Sequence, residues 1–155
     1  MNLTHKYEGV VERFQSAAPV DVTALAEALG LRVWEEDDLP ESVSGKIFKD
    51  TASPSGYSIS VRSTDAYVRR RFTVAHEVAH FLLHQDKIGD GLTDDAMYRS
   101  GLSTWEEVEA NHLAADILMP RALLASYIAQ WGVDAAVLAP FFKVSRAAMQ
   151  IRLKP

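Results

Sequence analysis

The 155-residue chain has no cysteine. Disulfides and thiolate metal centres are therefore excluded, and any metal must be held by histidine and carboxylate. No apolar run approaches the length of a membrane span. The N-terminal stretch, Met1-Asn2-Leu3-Thr4-His5-Lys6-Tyr7-Glu8, is polar and lacks the apolar core of a secretory signal, so the cytoplasm is the expected location. An excess of basic charge is missing too. Sixteen Lys and Arg against 21 Asp and Glu leave a net charge of −5, which argues against a large nucleic-acid footprint while leaving room for a local basic patch. What is present, 48% hydrophobic and 24% charged residues, is the balance of an ordinary globular protein. The length suits a single domain, residues 1–155, with a real core.

The chain is organised around Arg69-Arg70-Arg71-Phe72-Thr73-Val74-Ala75-His76-Glu77-Val78-Ala79-His80-Phe81-Leu82-Leu83-His84, a helical pattern containing His-Glu-x-x-His. Residues four apart stack on one helix face, so His76 and His80 aim at one point, while Glu77 lies about 100° round the helix from His76. Two converging imidazoles suit zinc, which takes neutral nitrogen ligands at about 2.0–2.1 Å. The neighbouring carboxylate is placed to accept a proton from the attacking water, as a general base. A pair of core histidines is the plainer alternative. However, the segment is apolar around most of its circumference and should be buried, and burying two imidazoles and a carboxylate without partners is costly. A metal removes that cost.

The surrounding pattern predicts an α+β fold: a small antiparallel sheet packed against a helical bundle that carries the motif. Residues 3–17 read as a helix with Val10, Val11 and Phe14 inward. Asp21 caps a second helix, Val22–Leu29, which Gly30 stops. Leu31–Trp34 follows as a strand, and Glu35–Asp38 as an acidic loop. Val43–Lys49 and Tyr57–Arg62 read as strands joined by turn residues 50–56, the second alternating Tyr57, Ile59 and Val61 with polar residues. An extended peptide could add a strand near Tyr57–Arg62. The Arg69–Arg71 run reads as a solvated or salt-bridged face in preference to an anion site. Residues 85–103 read as a loop, a lid or a mobile segment.

A catalytic zinc usually has three protein ligands, and the helix from Ser103 to Pro120 offers the third. Thr104 and Glu107 have the spacing of a capping box, which gives Glu107 a structural task, and Glu106 suits the first turn. Glu109 lies deeper, near Ala110, Ala114 and Ala115, small residues that let helices approach. It is the favoured ligand over Glu106 and Glu107. His112 could replace it, or could donate to a developing oxyanion as Tyr98 could, or could be a surface histidine. His84 continues the face of His76 and His80 one turn further and is expected to pack or to support the ligands.

Arg71 to His84, together with Glu109-Ala110-Asn111-His112-Leu113-Ala114-Ala115-Asp116-Ile117-Leu118-Met119-Pro120, closely resembles the ImmA/IrrE family of bacterial and phage zinc metallopeptidases. Pro19 to Val22, Leu29-Gly30, Val33 and Ser44 to Ile47 add to the likeness, which covers most of the chain. The family often has an apolar residue where this chain has His112. The resemblance implies a compact gluzincin-like domain with zinc held by His76, His80 and Glu109, and Glu77 as general base. It also implies a protein substrate, a helix-turn-helix repressor whose cleavage switches on stress, phage or mobile-element genes. The C-terminal part, about residues 134–155, reads as two short helices around Lys143-Val144-Ser145, a helix-turn-helix-like hairpin. On a mostly acidic chain it is expected to pack or to contact a repressor, not to read DNA. A different class of function stands beside the enzyme: a non-catalytic anti-repressor or DNA-associated module with a structural metal, which would need a fourth protein ligand.

Overall fold

The structure, a computed structural model, describes residues 5–89, 91–95 and 104–155. Local chemistry sets the first elements. Helix α1 covers His5–Arg13 and buries Val11. The Asp21 side chain accepts from Ala24 N at 3.0 Å and starts α2, Val22–Ala28, which buries Val22, Leu25 and Ala26. Gly30 then turns the chain at φ +91°, a left-handed conformation open to glycine. A Cβ there would lie 2.8 Å from Ser55 N, so the turn is closed to other residues on two counts.

Four strands follow: β1 (Arg32–Glu36), β2 (Val43–Lys49), β3 (Tyr57–Arg62) and β4 (Gly91–Asp95), in the sheet order β1-β3-β2-β4. β2 and β3 form the expected antiparallel hairpin, with Ile47 opposite Ile59, and β4 pairs antiparallel with β2. The sheet is nonetheless mixed and not wholly antiparallel, because β1 lies parallel to β3, with Val33 opposite Ile59. The segment between β1 and β2 can make this crossing because Arg62 holds it, donating to the carbonyls of Leu39, Pro40 and Val43. Two further expectations are corrected here. β3 is flanked on both sides, so no peptide can add a strand at Tyr57–Arg62. Glu35 and Glu36 belong to β1 and not to a loop. Ser58 and Ser60 of β3 are fully buried, and their hydroxyls donate to Asp50 and Glu36, each at 2.7 Å. The Ser58 hydroxyl, helped by the Ala52 amide, holds the Asp50 carboxyl below its usual pKa.

Helix α3, Tyr67–Leu83, crosses the sheet and is buried through most of its length. At Gly45 of β2 the approach leaves no space. An added Cβ would sit 2.5 Å from Thr73 Cγ2 and 2.8 Å from Ser60 O. A single 3₁₀ turn, Gln85–Lys87, precedes β4, so part of the expected loop is regular structure. Helix α4, Thr104–Leu118, packs along α3, and Ala75, Ala79, Ala110 and Ala114 of the two helices are all fully buried. α5 (Arg121–Trp131) has no counterpart among the expected elements. Its Tyr127 packs against Phe141 and Phe142 of α6 (Ala135–Phe142).

α6 and α7 (Arg146–Leu153) form the expected hairpin. It turns through Lys143 at φ +51°, and Ser145 caps α7 by accepting from Ala148 N at 3.0 Å. Leu138, Phe142, Val144 and Met149 sit in the same apolar cluster as Val74 and Val78 of α3. Two buried guanidiniums secure the hairpin. Arg71 donates to the carbonyls of Lys143 and Phe142, and Arg152 to the Met119 carbonyl while pairing with Asp116 at 2.8 Å. Burial is the main cause lowering both guanidinium pKa values from their ordinary level. Arg69 bonds the Ser44 hydroxyl and Arg70 pairs with Glu35, so each member of the Arg69–Arg71 run makes an internal contact. No helix among the described residues is long and apolar enough to cross a membrane.

Candidate metal centre

The α3 sequence places His76, Glu77 and His80 within a little over one turn, and the apolar residues around them carry that turn into the interior. His76, Glu77 and His80 are all buried, Glu77 and His80 fully. The two Nε2 atoms lie 3.1 Å apart. A carboxylate from α4 meets them: Glu107 Oε1 is 2.9 Å from His80 Nε2 and 3.5 Å from His76 Nε2. Among the described residues, His76, His80 and Glu107 are the group whose ligand atoms cluster as a metal site requires.

The carboxylate at the imidazole pair is therefore Glu107, not Glu109. Cross-helix contacts show why. At the start of α4 Glu106 pairs with Lys87, just past the end of α3, whereas further along Asn111 meets His76, nearer the middle of α3; Glu107 at His80 and Glu109 at His84 lie between them. α4 thus runs antiparallel to α3. Glu107, Ala110, Asn111 and Ala114 have the i, i+3, i+4, i+7 spacing of one helical stripe. Asn111 on that stripe bonds a motif histidine, and the fully buried alanines allow close approach. Glu109 projects from a neighbouring stripe, where its Oε1 is 3.0 Å from His84 Nε2. Glu106 is engaged elsewhere, since its hydrogen bond to Lys87 is the main cause raising the Lys87 pKa.

The outer nitrogens of both motif histidines are also engaged. His76 Nδ1 donates to Asn111 Oδ1 at 2.9 Å, and His80 Nδ1 is 3.0 Å from His84 Nδ1. With the outer nitrogens protonated, both Nε2 atoms and the Glu107 oxygen present lone pairs to one point. Ligands about 2.0–2.1 Å from a tetrahedral zinc lie about 3.3 Å from one another. The separations of 2.9, 3.1 and 3.5 Å fit that geometry, and a cation between the three donors removes their mutual repulsion. Three protein donors is the number found in catalytic zinc sites, whereas structural sites close with four.

The other candidates fall outside this group. His112 is exposed on α4. His84 is buried at the end of α3, against His80. Tyr98 lies outside the described residues. The sequence alone assigns Asn111 no role beyond its place in the resemblance, although its spacing of four from Glu107 matches that of His76 and His80.

A buried His-Glu-x-x-His helix crossing a small mixed sheet, with an acid from the next long helix at its imidazoles, has the build of a metallopeptidase-like domain. The family model for peptidase M78, the IrrE N-terminal-like domain, matches residues 26–154, and the chain belongs to this family. Among solved structures, a Mycobacterium tuberculosis transcriptional regulator shares the fold, with a TM-score of 0.63 and 18% identity over 97% of this chain and 47% of that one. This chain thus spans about half the length of that regulator. No curated protein matches it.

Proposed function

We propose that the chain is a zinc-dependent endopeptidase of the cytoplasm that cleaves a helix-turn-helix transcriptional repressor and so relieves repression. The observation that carries the reading is the convergence of His76 Nε2, His80 Nε2 and Glu107 Oε1 within 3.5 Å of one another, next to the buried Glu77. Family membership supports the peptidase class. The repressor is the most specific part of the proposal, and rests on the likeness to ImmA/IrrE proteins.

In this reading His76, His80 and Glu107 hold the metal. Bound there, zinc would polarise the scissile carbonyl and bring the pKa of water towards neutrality. Glu77 accepts the proton of the attacking water as its oxygen bonds to the carbonyl carbon, then delivers that proton to the amine as the carbon–nitrogen bond breaks. Asn111 keeps the His76 ring turned so that Nε2 faces the site. The apolar packing of α3 excludes bulk water behind the histidines and strengthens each of these interactions.

The test combines the protein, zinc and a candidate helix-turn-helix repressor. A single cut in the repressor is expected. Glu77→Gln should bind zinc as the parent does and cut about 10²–10⁴-fold more slowly. Equal cutting rates would remove Glu77 from the chemistry, and an intact repressor at all zinc concentrations would remove the substrate.

A further inference from the structure

A third histidine and a second carboxylate adjoin the candidate centre without belonging to it. His84 is 4% exposed at the C-terminal end of α3. Its Nδ1 lies 3.0 Å from His80 Nδ1, and its Nε2 lies 3.0 Å from Glu109 Oε1. Packing alone would be served by an apolar side chain at position 84. A buried imidazole is tolerated when both its nitrogens are matched, and here both are.

The order of atoms fixes the direction of the hydrogen bonds. Glu109 presents an acceptor, so His84 Nε2 must carry a proton and donate it. If His84 is neutral, its Nδ1 then bears a lone pair and accepts from His80 Nδ1–H. That leaves the lone pair of His80 on Nε2, the atom facing His76 and Glu107. The opposite arrangement, with His84 Nδ1 donating, would put the His80 proton on Nε2 and block the atom that must bind metal. Glu109 therefore selects the tautomer of His84, and His84 selects that of His80. His76 is held differently, by the neutral amide of Asn111.

We infer that Glu109 and His84 are positioning residues that act in series to hold His80 in its metal-binding tautomer. They make His80 the more firmly anchored of the two imidazole ligands. The inference rests on the proposed zinc site, and it explains why α4 carries a carboxylate at 109 as well as at 107. Outer partners of ligating histidines often donate or accept in this way, usually through a single carboxylate or carbonyl. Here the carboxylate acts through an intervening imidazole on the ligand's own helix.

The experiment uses the full chain and zinc alone. Zinc affinity is measured by competition with a chromophoric chelator, and the His80 tautomer by long-range ¹H–¹⁵N spectra of the imidazoles in metal-free protein. The Glu109 side chain is 39% exposed, so Glu109→Ala should fold. It should weaken zinc binding about 10–100-fold and replace the single Nδ1–H form of His80 by a mixture. Glu109→Gln, whose amide oxygen can still accept from His84 Nε2–H, should restore the single tautomer and most of the affinity. His84→Phe should reproduce the Glu109→Ala affinity, and adding Glu109→Ala to it should cost nothing more. Parent affinity and an unchanged His80 tautomer in Glu109→Ala would overturn the relay while leaving the zinc site standing. Failure of the parent protein to bind zinc would overturn both.

Discussion

Replacing Glu107 by alanine removes one of three atoms that meet between α3 and α4, the carboxylate oxygen 2.9 Å from His80 Nε2 and 3.5 Å from His76 Nε2. Zinc binding in small structural sites amounts to about 10–16 kcal/mol over four ligands, so one ligand accounts for about 3–4 kcal/mol, or about 10²–10³-fold in affinity. The loss is readable as thermal stability. At free zinc about 100 times the parent Kd, binding stabilises the parent by about 2.7 kcal/mol, whereas a variant binding 100-fold more weakly keeps about 0.4 kcal/mol. In a chain of this size each kcal/mol moves Tm by about 2–4 °C. The zinc-induced shift should therefore fall from about 5–11 °C in the parent to about 1–2 °C in Glu107→Ala, measured by calorimetry with and without chelator. Without metal, Glu107→Ala should melt near the parent, because the side chain is 24% exposed and leaves little cavity. A full zinc shift in Glu107→Ala, together with its loss in Glu109→Ala, would refute the helix-phase argument and return Glu109 to the ligand set.

Other perturbations test the scaffold. Gly45→Ala puts a methyl group 2.8 Å from the Ser60 carbonyl, which belongs to the neighbouring strand and cannot swing away. It should cost about 1–3 kcal/mol in urea unfolding, and a neutral result would mean that α3 rides higher than described. Arg152→Met should cost about 1–3 kcal/mol, because the buried Met119 carbonyl loses its donors; unchanged stability would show that the hairpin does not depend on this tie. The Asp50 pKa is depressed in the folded state, chiefly by the Ser58 hydroxyl. Its contribution is present above the unfolded pKa of about 4 and lost as pH falls through the folded value. The stability gap between parent and Asp50→Asn should accordingly be widest near neutrality and close in acid, as read from urea midpoints across pH.

Where local chemistry dictates an element, the sequence showed it. Asp21 and Gly30 bracket α2, Ser145 opens α7, and the turn residues between 50 and 56 hold β2 and β3 in register. β4 was not visible, because Gly91-Leu92-Thr93-Asp94-Asp95 has no strand pattern and is a strand only through pairing with β2, far back in the chain. β1 was legible as a strand, but its parallel pairing with β3 depends on the Arg62 contacts to the 39–43 segment, which only the folded chain brings together. The motif residues were plain at once. Which α4 carboxylate lies at the imidazoles is a matter of helix phase. Ala110 and Ala114 stand three and seven residues from Glu107 and one and five from Glu109. The same alanines, counted at 3.6 residues per turn, indicate Glu107. The capping-box spacing of Thr104 and Glu107 masked that count.

The contact at Gly45 has a consequence for how this domain can vary. Thr73 rests against β2 with no room for one further carbon atom, and it stands one helical turn before His76. The elevation of the histidines over the sheet is thus set by a hard stop against main chain, not by the volume of exchangeable apolar side chains. Sequence drift elsewhere in the interior can soften the protein while the imidazoles keep their height. A change that lifts them must begin at this pair of residues.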